Sequence, residues 1–218
     1  TQCNGERSCQ EISINSFMDI QCNGKESCSG AHVTSDNDAI LCTATESCMY
    51  GNLRAESIVC SGYNSCQNAR LEGDKVKVYG MNSASHANIY ASQVIGYGYY
   101  SLQFAEIDTL TVAELDVSFF GHNTGYGAVV ICRSGTSCKL KCKSSGCFGT
   151  TFMCITGSGC MVSPQECRPN DMTTSRIGDT DCPVWKTALS HKEVMEMRNM
   201  NVHNDLDLEF VAMETEVI

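Results

Sequence analysis

Paired cysteines at a fixed step constrain this chain more than any other feature. CNGERSC (Cys3 to Cys9), CNGKESC (Cys22 to Cys28), CTATESC (Cys42 to Cys48) and CSGYNSC (Cys60 to Cys66) are one motif, with first positions 19, 20 and 18 residues apart. The motif then loses its sulfurs while keeping its frame, through GMNSASH (80–86), GYGYYSL (96–102) and FGHNTGY (120–126). CRSGTSC restores them at Cys132 and Cys138, and Cys142/Cys147 and Cys154/Cys160 follow. A unit of this length cannot bury a core alone; it must stack on copies of itself.

The residues between motifs say how. Three positions past the second slot stand Ile12, Ala31, Gly51, Ala69, Ile89, Ala105 and Val129; five past it stand Ile14, Val33, Leu53, Leu71, Ala91, Ile107 and Ile131. The residue between is polar in Ser13, His32, Asn52, Arg70, Tyr90 and Glu106, with Val130 the exception. Such period-2 alternation marks a half-buried strand. A second apolar row, Ile20, Ile40, Ile58, Val78 and Val94, sits two residues before each following motif. The expected fold is all-β: a disulfide-stapled parallel β-solenoid over residues 1–160, with coils of 18–20 residues. An antiparallel sandwich would not demand small apolar residues at identical offsets. From 132 to 160 the cysteine step falls to 10–12, which predicts shorter coils there and a rod of roughly 45–50 Å.

Within the motif, Gly5, Gly24, Gly62, Gly98 and Asn82 share the third position, where a left-handed turn residue is expected. Ser8, Ser27, Ser47, Ser65, Ser85, Ser101 and Ser137 share the position before the second slot, and turn bonding explains such a column better than O-linked sugar.

With those residues in view, 3–160 resembles the cysteine-rich C-x-G-x-x-S-C short-repeat solenoids of large secreted or surface proteins in protists and algae. The resemblance implies an extracellular structural role and supplies no catalytic residues.

Compartment follows from the sulfurs. An even count of 16 cysteines at repeated spacing predicts an oxidised framework outside the cytosol, extracellular or at the cell surface. The C-x5-C spacing is wider than zinc-binding C-x2-C, and the five histidines do not recur beside the pairs, so no metal or cofactor is expected. Adjacent coils could also bring cysteines within bonding reach. The joint loss of both sulfurs at Gly80/His86, Gly96/Leu102 and Phe120/Tyr126 nevertheless predicts pairing inside each coil: 3–9, 22–28, 42–48, 60–66, 132–138, 142–147 and 154–160, with Cys167–Cys182 closing the end. Charge −10 and pI about 4.9 argue against nucleic acid, and no apolar run reaches a membrane span.

Chemistry is sparse. Asp36 with Asp38, and Glu106 with Asp108, are the carboxylate pairs a polysaccharide-cleaving β-helix enzyme would need, and solvated turn acids explain them better. His122 precedes Cys132, but an oxidised sulfur is no nucleophile. No enzyme is expected. The aromatic cluster Tyr97, Tyr99, Tyr100 and Tyr126, with Phe119 and Phe120, is the candidate binding patch for glycan or protein; its plainer reading is rings packing where sulfurs are missing.

Residues 161–218 leave the repeat and carry 11 acids against 5 bases. Asp181-Cys-Pro183 predicts a helix over 183–199. Leu206, Leu208 and Phe210 alternate with acids and predict a strand over 205–218 that pairs with a neighbouring subunit, the alternative being a strand that folds back to cap its own solenoid. Because Cys3 enters the repeat two residues into the chain, the first coil is expected to be uncapped and the protein to assemble head to tail into a fibre or matrix. A surface adhesion module is the alternative.

Overall fold

The computed structural model describes residues 1–109, 113–155 and 157–163, together with the backbone of 184–188. The chain winds as a parallel β-solenoid of about eight coils, and every strand pairing is parallel. Each coil contributes two short strands and one turn, so the solenoid has three rows. One strand row runs through Ser13–Ser16, His32–Ser35, Asn52–Arg54, Glu106–Asp108, Val129–Cys132 and Thr151–Ile155. The other runs through Gln2–Cys3, Ile20–Cys22, Ala39–Cys42, Ser57–Cys60, Glu114–Phe119 and Ser137–Cys142. In the middle, Arg70–Val78 and Asn88–Gly96 each serve both rows as one bent strand.

Register gives the coils their true lengths. Cys3 pairs with Cys22, then Cys42, Cys60, Val78, Gly96, Phe119 and Cys142. We number the coils from those positions, coil 1 beginning at Cys3 and coil 8 at Cys142. The steps are 18–20 residues up to Gly96 and 23 thereafter, so the late coils are longer, not shorter as the sulfur spacing implied. Cys132 pairs in register with Cys154, and Cys138 with Cys160, on the corner between the strand rows rather than in the turn row. Cys142 and Cys147, lying between those two pairs in sequence, return to the turn row and close the turn of coil 8. They do not mark a separate short coil. Late coils therefore carry staples at two corners, which alternate along the chain and mimic a shortened repeat. Gly159–Ser163 and Val184–Ala188 add a ninth strand to each row, so the described strands make eight steps of about 4.8 Å, roughly 38 Å in all.

The sulfur-free coils correct the frame. Val78 and Ala84 fill the cysteine slots of coil 5, two residues before Gly80 and His86. Phe119 and Gly125 fill those of coil 7, one residue before Phe120 and Tyr126. The inward small column is then Ala31, Gly51, Ala69, Ala87, Ala105 and Ala128, all buried. Beside it stand Val33, Leu53, Leu71, Ile89, Ile107, Val130 and Phe152. Val76 replaces Val78 in the second row, next to Ile58 and Val94. Val130 ceases to be an exception: it faces in, and Val129 and Ile131 belong to the opposite side of the strand. The larger side chains form one continuous interior file, the geometry that lets short coils share a core.

Turn chemistry also differs from expectation. The left-handed residues are the fifth and ninth of the motif, as at Glu26 and Gly30, Asn64 and Asn68, or Tyr100 and Phe104. Third-position glycines answer a different demand: a Cβ on Gly98 would press into the Gly80 carbonyl of the coil below. With this backbone, alternate amides leave the turn. Arg7, Cys9 and Glu11 donate to the carbonyls of Lys25, Ser27 and Ser29 at 3.0, 2.9 and 2.9 Å, while Ser8 donates back to Gly5. The turn row thus bonds coil to coil as a sheet does.

At the far end, Val184–Ala188 is a strand paired with Thr151–Ile155, not the start of a helix. Val, Trp and Thr are strand formers, and pairing covers an otherwise open edge. No helix occurs among the described residues. Cys167, Cys182, the remainder of 183–199, and the strand proposed over 205–218 with Leu206, Leu208 and Phe210 lie outside them.

Candidate functional site

Seven disulfides close among the described residues, each between the cysteines of one C-x5-C or C-x4-C pair. Four staple the early turns: Cys3–Cys9, Cys22–Cys28, Cys42–Cys48 and Cys60–Cys66. Cys142–Cys147 staples the turn of coil 8, one residue tighter than the others, with Cys147 fully buried. Cys132–Cys138 and Cys154–Cys160 staple the opposite corner. The Cα–Cα separations of 5.4–6.3 Å fall in the ordinary bonding range. Sulfurs of Cys22, Cys28 and Cys48 lie together in the interior, as do those of Cys42, Cys48 and Cys66; each is already committed to a disulfide. These groups are the stacked staples, and oxidised sulfur offers no thiolate to a metal.

The buried column before the second slot is Ser27, Ser47, Ser65, Ser83, Ser101 and Thr124; Ser83 replaces Ser85, and Ser137 belongs to a strand. All six are 0% exposed, so none can carry a sugar. Ser83 Oγ donates to the Gly80 and Cys60 carbonyls at 3.1 and 3.4 Å, and Thr124 Oγ1 to Gly98 at 2.9 Å. The hydroxyls of Ser27, Ser47, Ser65 and Ser101 find no partner among the described residues.

The carboxylate pairs do not converge on a reacting centre. Asp108 is buried and held by Arg133, Nε to Oδ1 and Nη2 to Oδ2, both 2.8 Å. Asp36 borders an open groove of about 590 Å³, whose wall includes Arg54, Glu56, Glu72, Asp74 and Tyr90. Arg54 and Arg70 approach Glu72 at 3.8 and 3.6 Å, and the Arg70 guanidinium also covers the Tyr90 ring at 4.3 Å. Asp38 borders a separate cleft beside Asp19. His122 is exposed and stacks on Tyr99, while Cys132 is in a disulfide.

The aromatic residues make a different picture. Phe119 and Leu102 fill cysteine slots and are buried, so some apolar residues do replace sulfur. The tyrosines stand elsewhere, at turn positions that face outward. Tyr79, Tyr97 and Phe120 occupy one position in coils 5, 6 and 7 and stack with centroids 5.4 and 4.9 Å apart. Tyr99 meets Tyr100 edge-on at 4.4 Å and stacks with His122 at 5.3 Å. Tyr100 contacts Tyr126, which also meets Phe104 and Phe148. The four tyrosines of the expected patch are thus part of one face, and Tyr79, His86, Phe104 and Phe148 belong to it as well. The corrected frame finds Tyr79, because it directly follows the first slot as Tyr97 and Phe120 do.

Two properties set this face apart. Turn residues 61–69, 79–87, 97–105 and 120–128 contain no Asp, Glu, Lys or Arg, whereas the first three turns carry Glu6, Arg7, Glu11, Lys25, Glu26 and Glu46. The central ring of the ladder, Tyr97, is also presented by its edge. Tyr97 has Tyr79 over one face and Phe120 over the other, yet remains 49% exposed. A hydrogen bond with Tyr100, then that neighbour's charge, raises the Tyr99 phenol above its ordinary range.

Comparison with family models, curated proteins and solved structures finds no match to this chain. The fold therefore stands on its own geometry. It is a disulfide-rich β-solenoid, suited to an oxidising extracellular setting and to structural or binding work. No helix among the described residues is long and apolar enough to cross a membrane.

Proposed function

We propose that this chain is a non-enzymatic extracellular rod that binds a protein partner through the turns of coils 4 to 7. The observation that carries this reading is the uncharged, aromatic and amide-rich face built around Tyr97, Tyr99 and Tyr100. Tyrosine with Asn and Gln is the composition of protein-recognition surfaces, since rigid rings bring area at small entropic cost. Stacking within the ladder covers both faces of Tyr97, which speaks against a sugar lying on that ring. Four turns without charge give no purchase to nucleic acid or acidic glycans.

Parallel screens on arrays of extracellular proteins and of glycans test the proposal. The expected result is protein binding that weakens at least about tenfold in the Tyr97→Ala, Tyr99→Ala, Tyr100→Ala variant, with its circular dichroism unchanged. Glycan binding that survives in the variant would point to a different face. The end-to-end fibre is the competing proposal, and filaments of the purified protein in electron micrographs would favour it.

A further inference from the structure

We propose that Tyr79 and Tyr97 form a modification site, an oxidative cross-link in which the two phenols join as dityrosine between coils 5 and 6. The rings lie 5.4 Å apart with planes within 10° of parallel, and they are 43% and 49% exposed. Access for an oxidant and proximity for coupling therefore coincide at this pair.

The co-reactant is hydrogen peroxide acting through a haem peroxidase. Each phenol gives up one electron and its hydroxyl proton. The phenoxyl radicals carry spin on the carbons ortho to oxygen, and two such carbons pair to form one C–C bond. The ring hydrogens then move to oxygen and restore both phenols. Two hydrogen atoms leave in total, and one peroxide becomes two waters.

The neighbours favour this outcome. Phe120 covers the other side of Tyr97 and has no phenol to oxidise. Ser61 is the residue in register below Tyr79, so this column contains two phenols and no more in its aromatic run. No cysteine among the described residues is free, so no thiol beside the pair returns an electron to the radical. Stacking holds the partners at the separation that converts a bimolecular coupling into a local one.

The test treats the full, disulfide-intact chain with a haem peroxidase and limiting peroxide, isolates monomer, and maps peptides by mass spectrometry. The expected product joins the peptides containing Tyr79 and Tyr97 with loss of two hydrogens and shows dityrosine fluorescence. Tyr97→Phe keeps a ring in the stack and should reduce that fluorescence in the monomer at least about tenfold. Urea-unfolded chain, reduced and alkylated so that no thiol can quench the radicals, should lose the 79–97 product to a similar extent. Equal yields in folded and unfolded chain, full fluorescence in the Tyr97→Phe monomer, or cross-links confined to covalent dimers would each overturn the proposal.

Discussion

The buried hydroxyls show how a single position can be retained without contributing hydrogen bonds. Ser65 is fully buried and its Oγ has no partner among the described residues, whereas Ser83, one coil on, donates to two carbonyls. Removing an unsatisfied buried hydroxyl relieves a desolvation cost, and removing a bonded one loses its bond. Ser65→Ala should be neutral or stabilising by up to about 1 kcal/mol, while Ser83→Ala should cost about 1 kcal/mol. Urea unfolding of both variants under non-reducing conditions measures the difference. Gly98→Ala is expected to be worse than either, by about 1–3 kcal/mol, because the new Cβ meets the Gly80 carbonyl, which cannot yield without shifting a coil. Residue identity alone could not separate these cases. A glycine at the third position reads as a left-handed turn, yet the left-handed backbone sits at Asn64, Asn82 or Tyr100 and the glycine answers to the neighbour below.

Among elements, the turn and its staple are legible in sequence through coils 1 to 4, where sulfur marks both ends at a steady step of 18–20 residues. Where Val78/Ala84 or Phe119/Gly125 fill the slots, nothing in residue type distinguishes a slot from any other buried position, and the frame slips. The second stapled corner was hidden for the opposite reason: Cys132–Cys138 has the spacing of the turn motif but spans the two strand rows, while the tighter Cys142–Cys147 is the true turn staple. Staples and apolar slots predict different responses to reductant. Closing a seven-residue loop contributes about 2 kcal/mol in the chain-entropy account, so Cys42→Ala with Cys48→Ala should cost at least that, plus packing lost in the core. In dithiothreitol, amide exchange should accelerate in coils 1–4 and 8 before coils 5 and 6, which contain no disulfide. The first coils carry a pH response too. Arg7 donates to Glu26 at 2.7 Å and, chiefly through that bond, holds the Glu26 carboxyl below its usual range. A folded pKa below the unfolded value gives stability above the unfolded pKa that disappears as pH falls through the folded one. Amide protection in the first two turns, relative to the intrinsic exchange rate, should therefore weaken as pH falls below the ordinary glutamate range. Glu26→Gln should show no such step.

On the scale of the whole molecule, charge leaves the turn row through coils 4 to 7 and stays in the strand rows, as at Arg70, Glu72, Lys75, Glu106 and Lys139. The first three turns are rich in ion-forming residues, and the next four have none apart from histidine. Association through the aromatic face should therefore change little between low and high salt, in contrast to any partner drawn by the net charge of −10. A surface-plasmon titration over ionic strength checks this directly.

Up to coil 7, coil length changes where the strand rows meet while the turns keep one length; only the turn of coil 8, closed by Cys142–Cys147, loses a residue. Between Tyr90↔Asp108 and Gln93↔Asp116, five more residues enter the chain than in the coil before, yet both strand rows resume their pairing without a slip. That corner behaves as a port for insertion and deletion. A descendant of this sequence, or a designer, could lengthen or replace the segment between Asp108 and Glu114 while the opposite edge kept its spacing. Novelty is thereby steered to one side of the rod, and the ladder of rings on the other can remain in step through rearrangements that would scramble an ordinary sandwich.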